Sequence, residues 1–450
     1  MRPRITVTLT AATVCLAGAL TGCSSSSSDN SGGGSTTTLN IAEWTNPGAI
    51  QFTQWLSAKF EKAHPGVKIK LQQAPTANGA WGTLWNSLLQ SKSVDLLALQ
   101  APTQAGFAPG YTSLKAQGAA ALIEAGQLVD LKDQPFMKNY DPTMQAAMAG
   151  RNGHIYGVMA AEYSAAGAMW YKKDLLAKYH LDVPTTFQQF LDECETLKKA
   201  GVTPIFVSGK DGMQGGVWQG VMNQMLMQGK APADSVKVGS DRADAFWKGT
   251  QSWTDPVYRE ASARYEKVMK YIEPNAAGVA QLTAPGVWAS KSDDYPFLLD
   301  GSWDGAVIQQ ANPKLNMGFF TMPGTDDAAA NRLTLKPDLT WVVPTSAKNK
   351  TLAMQWLTMF SEPENYKEWL KQTGSVSTQP ALQNTGLSWM DWQNAHMTDA
   401  FPQLSSPWVP AGAPLDAGGP DFYKLTPIGK DSVDTILNRS ASAYRKSVAG

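Results

Sequence analysis

The side chains in this sequence best suited to chemistry are indoles set beside carboxylates. The clearest case is Tyr295-Pro-Phe-Leu-Leu-Asp-Gly-Ser-Trp-Asp304. Phe297, Leu298 and Leu299 form a short apolar run typical of a buried element, and Asp300-Gly301 stops it with a turn. Trp303 and Asp304 follow at once. A rigid indole can cover the apolar C–H face of a sugar while a neighbouring carboxylate accepts from its hydroxyls. The competing reading of the same residues is a Trp packed over a domain edge. Trp218, in Gly215-Gly-Val-Trp, is a second nomination, because a Gly-rich turn there presents an indole.

Bond-making chemistry finds little support. The four histidines, 64, 154, 180 and 396, lie far apart and have none of the short pair spacings of zinc sites. There is no Gly-x-Ser-x-Gly elbow, no phosphate-binding Gly-Lys-Ser/Thr and no Gly-x-Gly-x-x-Gly after a strand. Cys194 falls on the apolar stripe Phe187, Phe190, Leu191, Cys194, Leu197 and reads as a buried thiol. A glycosidase needs two carboxylates flanking a bond. Glu43, Glu162 and Asp304 could supply them, but a chain of this size always has spare carboxylates. A secreted polysaccharide hydrolase is therefore the alternative reading. No catalytic residue, metal or cofactor is assigned.

The elements that must hold these residues alternate. Leu39–Trp44 reads as a first strand, and Thr45-Asn46-Pro47-Gly48 as a turn that caps a helix with Phe52, Trp55, Leu56 and Phe60 on one face. Val67–Leu71 is a second strand, Ala80–Ser91 a helix and Val94–Leu99 a third strand. Such alternation predicts a largely parallel α/β sheet with ligands outside the carboxyl ends of its strands, where Glu43, Trp44, Asn46 and Gln100 stand. The pattern restarts after Gly157. Helices follow at 175–179 and 187–200, the second capped by Thr185 or Thr186, then a strand at Gly201–Val207 and Met- and Trp-rich helices to about Tyr271. Strands at Met317–Thr321 and Leu339–Val343 come next, then two helices split at Glu362-Pro363 and helical pattern around Trp389–Thr398 and Asp431–Lys446.

The N-terminus reads as an export signal. Arg2 and Arg4 precede an apolar region from Ile5 to Leu20, and Leu20-Thr-Gly-Cys23 gives small residues at a cleavage point. Ser24–Thr38 is a Ser/Gly/Thr tether, so residues 23–38 read as a linker that follows the cleavage point. Of three cysteines only Cys194 then remains, so no internal disulfide is expected. Lys plus Arg and Asp plus Glu balance at 38 each, leaving no electrostatic footprint for nucleic acid.

Leu20-Thr-Gly-Cys23 resembles the bacterial lipobox, and with the tether it resembles the lipid-anchored solute-binding proteins of ABC importers. Tyr156-Gly-Val-Met, Ala168-Met-Trp-Tyr-Lys-Lys-Asp-Leu175, Val183-Pro-Thr-Thr-Phe187, Leu197-Lys-Lys-Ala-Gly-Val-Thr-Pro204, Phe297–Trp303, Met317–Gly324 and the run from Trp341 through the helix 353–360 are similar, in this order, to the sugar-binding branch, family 1. A lysine stands where that branch usually has Asn in the second segment, and Pro407–Pro420 matches no motif. The resemblance implies the two-lobe periplasmic-binding-protein-like α/β fold of type II (cluster D), with hinge crossings and a central cleft. It places one lobe at 39–157 plus 338–375 and the other at 158–337 plus 376–450. It implies ligand contacts at Glu43, Trp44, Asn46, Glu162, Tyr163, Gly301, Trp303, Asp304 and Trp341. It further implies a monomer tethered at the outer face of the cell membrane that passes carbohydrate, an oligosaccharide by this reading, to an ABC permease and its ATPase. A binding protein that reports sugar to a sensor kinase would look the same.

Overall fold

The computed structural model describes residues 36–76, 79–102, 118–150, 152–291, 293–382, 386–404, 406–410 and 412–449. The signal segment, Cys23 and the tether to residue 35 lie outside the described residues. In chain order the strands are β1 (Thr37–Trp44), β2 (Val67–Ala74), β3 (Leu96–Gln100), β4 (Val158–Met159), β5 (Glu162–Ser164) and β6 (Ala168–Lys172). They continue with β7 (Ile205–Val207), β8 (Phe297–Leu299), β9 (Met317–Thr321), β10 (Thr334–Pro337), β11 (Leu339–Val342) and β12 (Phe401–Pro402). The first strand starts two residues before its expected start at Leu39, because Thr37 and Thr38, β-branched and suited to a pleat, pair with Val67 and Lys68.

The first sheet has the order β2-β1-β3-β11-β4. β1 is parallel to β2 and β3, whereas β11 runs antiparallel to β3 and β4. The second sheet, β7-β8-β6-β9, has β7 parallel to β8 and β6 antiparallel to β8 and β9. The expectation of a largely parallel sheet thus gives way to two mixed sheets. Alternating strands and helices predict parallel neighbours only while the chain stays in one sheet, and this chain leaves each sheet and returns.

The passages between sheets run through a small third sheet, β12-β10-β5. β4 leads through Ala160-Ala161 into β5, and β10 leads through Asp338 into β11. β5 and β10 are antiparallel, Tyr163 opposite Lys336 and Glu162 opposite Pro337. A third passage leaves the helix Pro363–Thr373 and pairs Val376 with Glu162. All three passages therefore meet at Glu162.

Two main cores flank this junction. One joins the first sheet to Phe52, Leu56 and Phe60 of the helix Pro47–Ala63 and to Trp356, Phe360 and Trp369 of the helices Lys350–Phe360 and Pro363–Thr373. The other joins β6–β9 to the helices Phe187–Lys199, Gly215–Met227, Pro256–Val268 and Val433–Val448. Burying faces of this size is the main favourable term in each core. Asn46 caps its helix by accepting from Ala49 N–H at 3.1 Å, and Thr186, rather than Thr185, caps Phe187–Lys199 through Gln189 N–H at 3.2 Å. Cys194 is buried on that helix. Around Trp389 the helical pattern breaks into short pieces, Ser388–Met390, Asp391–Ala395 and Met397–Asp399, with Trp389 and Met390 packed inward with residues of β6 and β9. Among the described residues no helix is long and apolar enough to cross a membrane.

Candidate functional site

Trp303 sits on a turn after β8 that the structure ties down from three sides. The carbonyl of Gly301 accepts from Trp170 Nε1 of β6 at 2.9 Å, and Ser302 Oγ accepts from Ser164 N–H at 3.1 Å. The indole folds back over its own turn: a Cβ at Gly301 would come within 2.3 Å of the ring, so only glycine lets it lie there. Its edge meets Tyr163, ring centroids 5.6 Å apart and planes at 82°. Tyr163 is itself buried and holds the indole, while Trp303 remains half-buried. A rotamer locked by packing with part of its face uncovered is what stacking on a ligand requires.

The floor beside it is polar. The parallel strands β7 and β8 end side by side, and Ser208 Oγ donates to Asp300 Oδ2 at 3.4 Å. Gln281 Nε2 reaches Asp300 Oδ1 at 3.3 Å, and Gln281 N–H donates to Asp211 Oδ2 at 2.7 Å. Asp304 lies against Asp300, with its Oδ2 buried and unpartnered. Burial, and then the neighbouring Asp300 carboxylate, pushes Asp304 well above the usual carboxylate range.

The first sheet's strand ends look different. Successive residues point to opposite faces, so Glu43 turns under the helix Pro47–Ala63 and accepts from Thr53 Oγ1 at 3.1 Å. It is fully buried with Oε1 unpartnered, and burial pushes its carboxyl up to about 8. Trp44 packs edge-on against Trp81 at 6.2 Å, and both are buried. Asn46 uses its side-chain oxygen as the helix cap. Gln100 is exposed and donates to Asp338 Oδ1 at 3.4 Å, where Lys336 Nζ also donates at 3.0 Å. Glu162, at the meeting of the three passages, is buried with Oε2 unpartnered. Burial, and then Asp141, pushes it up to about 7.

Of the residues nominated from sequence, the structure brings Tyr163, Gly301, Trp303 and Asp304 together. Two indoles lie elsewhere. Trp341, on β11, is inaccessible and packs between Trp356, at 5.2 Å, and Phe360, so it is a core residue rather than one facing a ligand. Its strand is covered by the helix Lys350–Phe360, which the sequence could not show. Trp218 is buried in an aromatic cluster with Trp253, Tyr258 and Phe422, and its Nε1 donates to Ser262 Oγ at 2.9 Å. It borders a cavity of about 270 Å³ that Arg242, Gln403 and Leu415 also line. Sequence reasoning missed Ser208, Asp211, Gln281 and Asp338. Asp211 stands in the glycine-bracketed turn Gly209-Lys-Asp-Gly212, which was a readable signal, whereas Gln281 carries none. Among the described residues no group of three or more His, Cys, Asp or Glu could hold a metal ion.

The sequence matches the family described as bacterial extracellular solute-binding protein over residues 46–367. It is 26% identical over 342 residues to an uncharacterized ABC transporter extracellular-binding protein of Pyrococcus horikoshii, covering 74% of this chain and 69% of that one. Across three curated relatives the match spans 60–69% of their length. Among solved structures it is similar in fold to the solute-binding protein RafE in complex with raffinose (TM-score 0.67, 18% identity, 91% of this chain and 100% of that one). It is similar also to a chitin oligosaccharide binding protein (TM-score 0.70, 17% identity, 92% and 100%). A sugar transporter from Bacillus licheniformis in complex with stachyose has a TM-score of 0.67 at 17% identity, covering 92% and 100%. At these identities the structural likeness is one of fold, a two-lobe solute-binding protein.

Proposed function

The chain belongs to the bacterial extracellular solute-binding protein family, and we propose that within it this protein captures a carbohydrate, an oligosaccharide by preference, and delivers it to an ABC permease and its ATPase. The observation that carries the sugar reading is Trp303: a half-buried indole locked by Gly301 and Tyr163 beside hydroxyl-matching polar groups at the ends of β7 and β8. In this reading residues 39–157 with 338–375 form one lobe and 158–337 with 376–450 the other, and the passages at Glu162, Asp338 and Val376 are the hinge. Closure would desolvate the stacked sugar and present the permease with a shape distinct from the open form. Cys23 carries lipid, the stretch to residue 38 acts as the tether, and the protein works as a monomer at the outer membrane face.

The test is a thermal-shift screen of residues 39–450 against mono- and oligosaccharides, with every hit recovered and checked for cleavage. The expected result is a sugar that raises the melting temperature and returns intact. A cleaved sugar would move the case to a hydrolase. Silence across sugars with a hit among amino acids or peptides would end the carbohydrate reading and leave the family assignment standing.

A further inference from the structure

Six large apolar side chains are exposed among the described residues, and one of them, Tyr423, is bonded to Asp211 just beyond the carboxyl end of β7. Tyr423 is 58% exposed, yet it is not loose. Its hydroxyl donates to the Asp211 carbonyl at 2.9 Å, and its backbone N–H donates to Asp421 Oδ1 at 3.1 Å. The phenol lies over Gly212, at φ +79°, where an added Cβ would meet the ring at 2.8 Å. The preceding Phe422 packs in the same way over Gly215, where a Cβ would meet its ring at 2.6 Å. The segment after Pro407–Pro420, for which the sequence offered no motif, thus rests on Gly212, which closes the turn after β7, and on Gly215, which opens the helix Gly215–Met227. The hydroxyl end of the Tyr423 ring rests against Gly212, and more than half of the residue is left to solvent.

The position is connected to the site already described. Asp211 accepts from Gln281 N–H, and Gln281 donates to Asp300, which lies against Asp304 on the Trp303 turn. An anchored aromatic ring close to the carboxylate of Asp211 and the amide of Gln281 matches the two-sided surface of a pyranose. Because both ends of Tyr423 are held, little rotamer freedom remains to be lost when a ring stacks on it.

We propose that Tyr423 is a second sugar-stacking platform, seating a ring of an oligosaccharide beyond the ring held at Trp303 and so selecting for chain length. This rests on the carbohydrate reading above. The geometry distinguishes it from an ordinary surface tyrosine, whose hydroxyl would face water.

Calorimetric titration of the wild-type protein, Tyr423→Ala, Tyr423→Leu and Tyr423→Phe tests it. The probes are galactose, raffinose and stachyose, and N-acetylglucosamine with its dimer to tetramer. Wild type should bind one series, and more tightly as the chain lengthens. Tyr423→Ala and Tyr423→Leu should lose about five- to tenfold for the longer members and leave the monosaccharide unchanged, while Tyr423→Phe, which keeps the ring but loses the hydroxyl bond to Asp211, should fall between them and wild type. Melting curves establish that each variant is folded, and Tyr423→Leu, which keeps apolar bulk, serves if the alanine variant is not. Equal affinity of wild type and folded variants across the binding series would overturn the proposal while sparing the carbohydrate reading. So would loss of transport in cells with sugar affinity intact, which would make Tyr423 a contact for the permease. A wild-type protein that binds neither series and no sugar of the wider screen would overturn both.

Discussion

The two sheets finish their strand ends in opposite ways. At the first sheet, the polar and aromatic residues are consumed by their own core: Glu43 by Thr53, Trp44 by Trp81, Asn46 by the helix it caps. At the second sheet, Asp300, Ser208, Gln281 and Asp211 bind one another, and the aromatic residues they support, Trp303 and Tyr423, stay accessible. The same residue types are therefore used up by the core at one end and leave accessible rings at the other. What separates them is whether the local fold leaves a face of the ring uncovered after its polar atoms are tied.

The sharpest way to break this comparison is to remove an indole from each class. Trp341→Ala empties a site sealed by Trp356 and Phe360 and should cost about 3–5 kcal/mol of stability, read by denaturant unfolding. The residual folded protein should bind sugar as wild type does. If stability holds and affinity falls, Trp341 faces ligand after all.

The sealed carboxyls give the next largest effect, on stability against pH. Glu43 and Glu162 titrate at about 8 and about 7 in the folded state, while a free Glu titrates near about 4.3. Across that interval the folded chain holds more protons than the unfolded one. Their favourable contribution is full below about pH 4.5 and is lost as pH rises through about 7 to 8. The melting temperature should fall between pH 5 and pH 8 by roughly 5 °C, and Glu43→Gln should flatten that slope. A melting temperature that climbs over the same range would contradict the sealed state of the first sheet's end.

Trp303→Ala should do the reverse of Trp341→Ala. Sugar affinity should drop by about thirtyfold or more, near 2 kcal/mol, with little change in melting temperature. A smaller effect is expected at Gly301→Ala, where the new methyl would press the indole off its turn. A loss of about tenfold in affinity, on the order of 1.4 kcal/mol, is expected in a folded protein. Unchanged binding there would mean that the ring's resting place is not the one ligand uses.

Much of this was legible without coordinates. The strand–helix alternation, the helix faces, the Asn46 and Thr186 caps and the Asp300-Gly301 turn follow from period and residue type, because those forces act within a few residues. The export signal, Cys23 and tether are expectations of the same local kind, and residues 1–35 lie outside the described residues. The family motifs around Trp170, Trp303 and Trp341 were also legible, but the roles of the three indoles were not. Trp170, Trp218 and Trp341 are buried and Trp303 is half-buried, and no neighbour in sequence decides which. That choice belongs to elements far along the chain: the helix Lys350–Phe360 closing over Trp341, Tyr163 propping Trp303, and the segment 421–423 settling on Gly212 and Gly215. Local pattern fixes which face of an element is apolar. Only the tertiary structure decides which of those faces another element covers, since burial is a property of the pair.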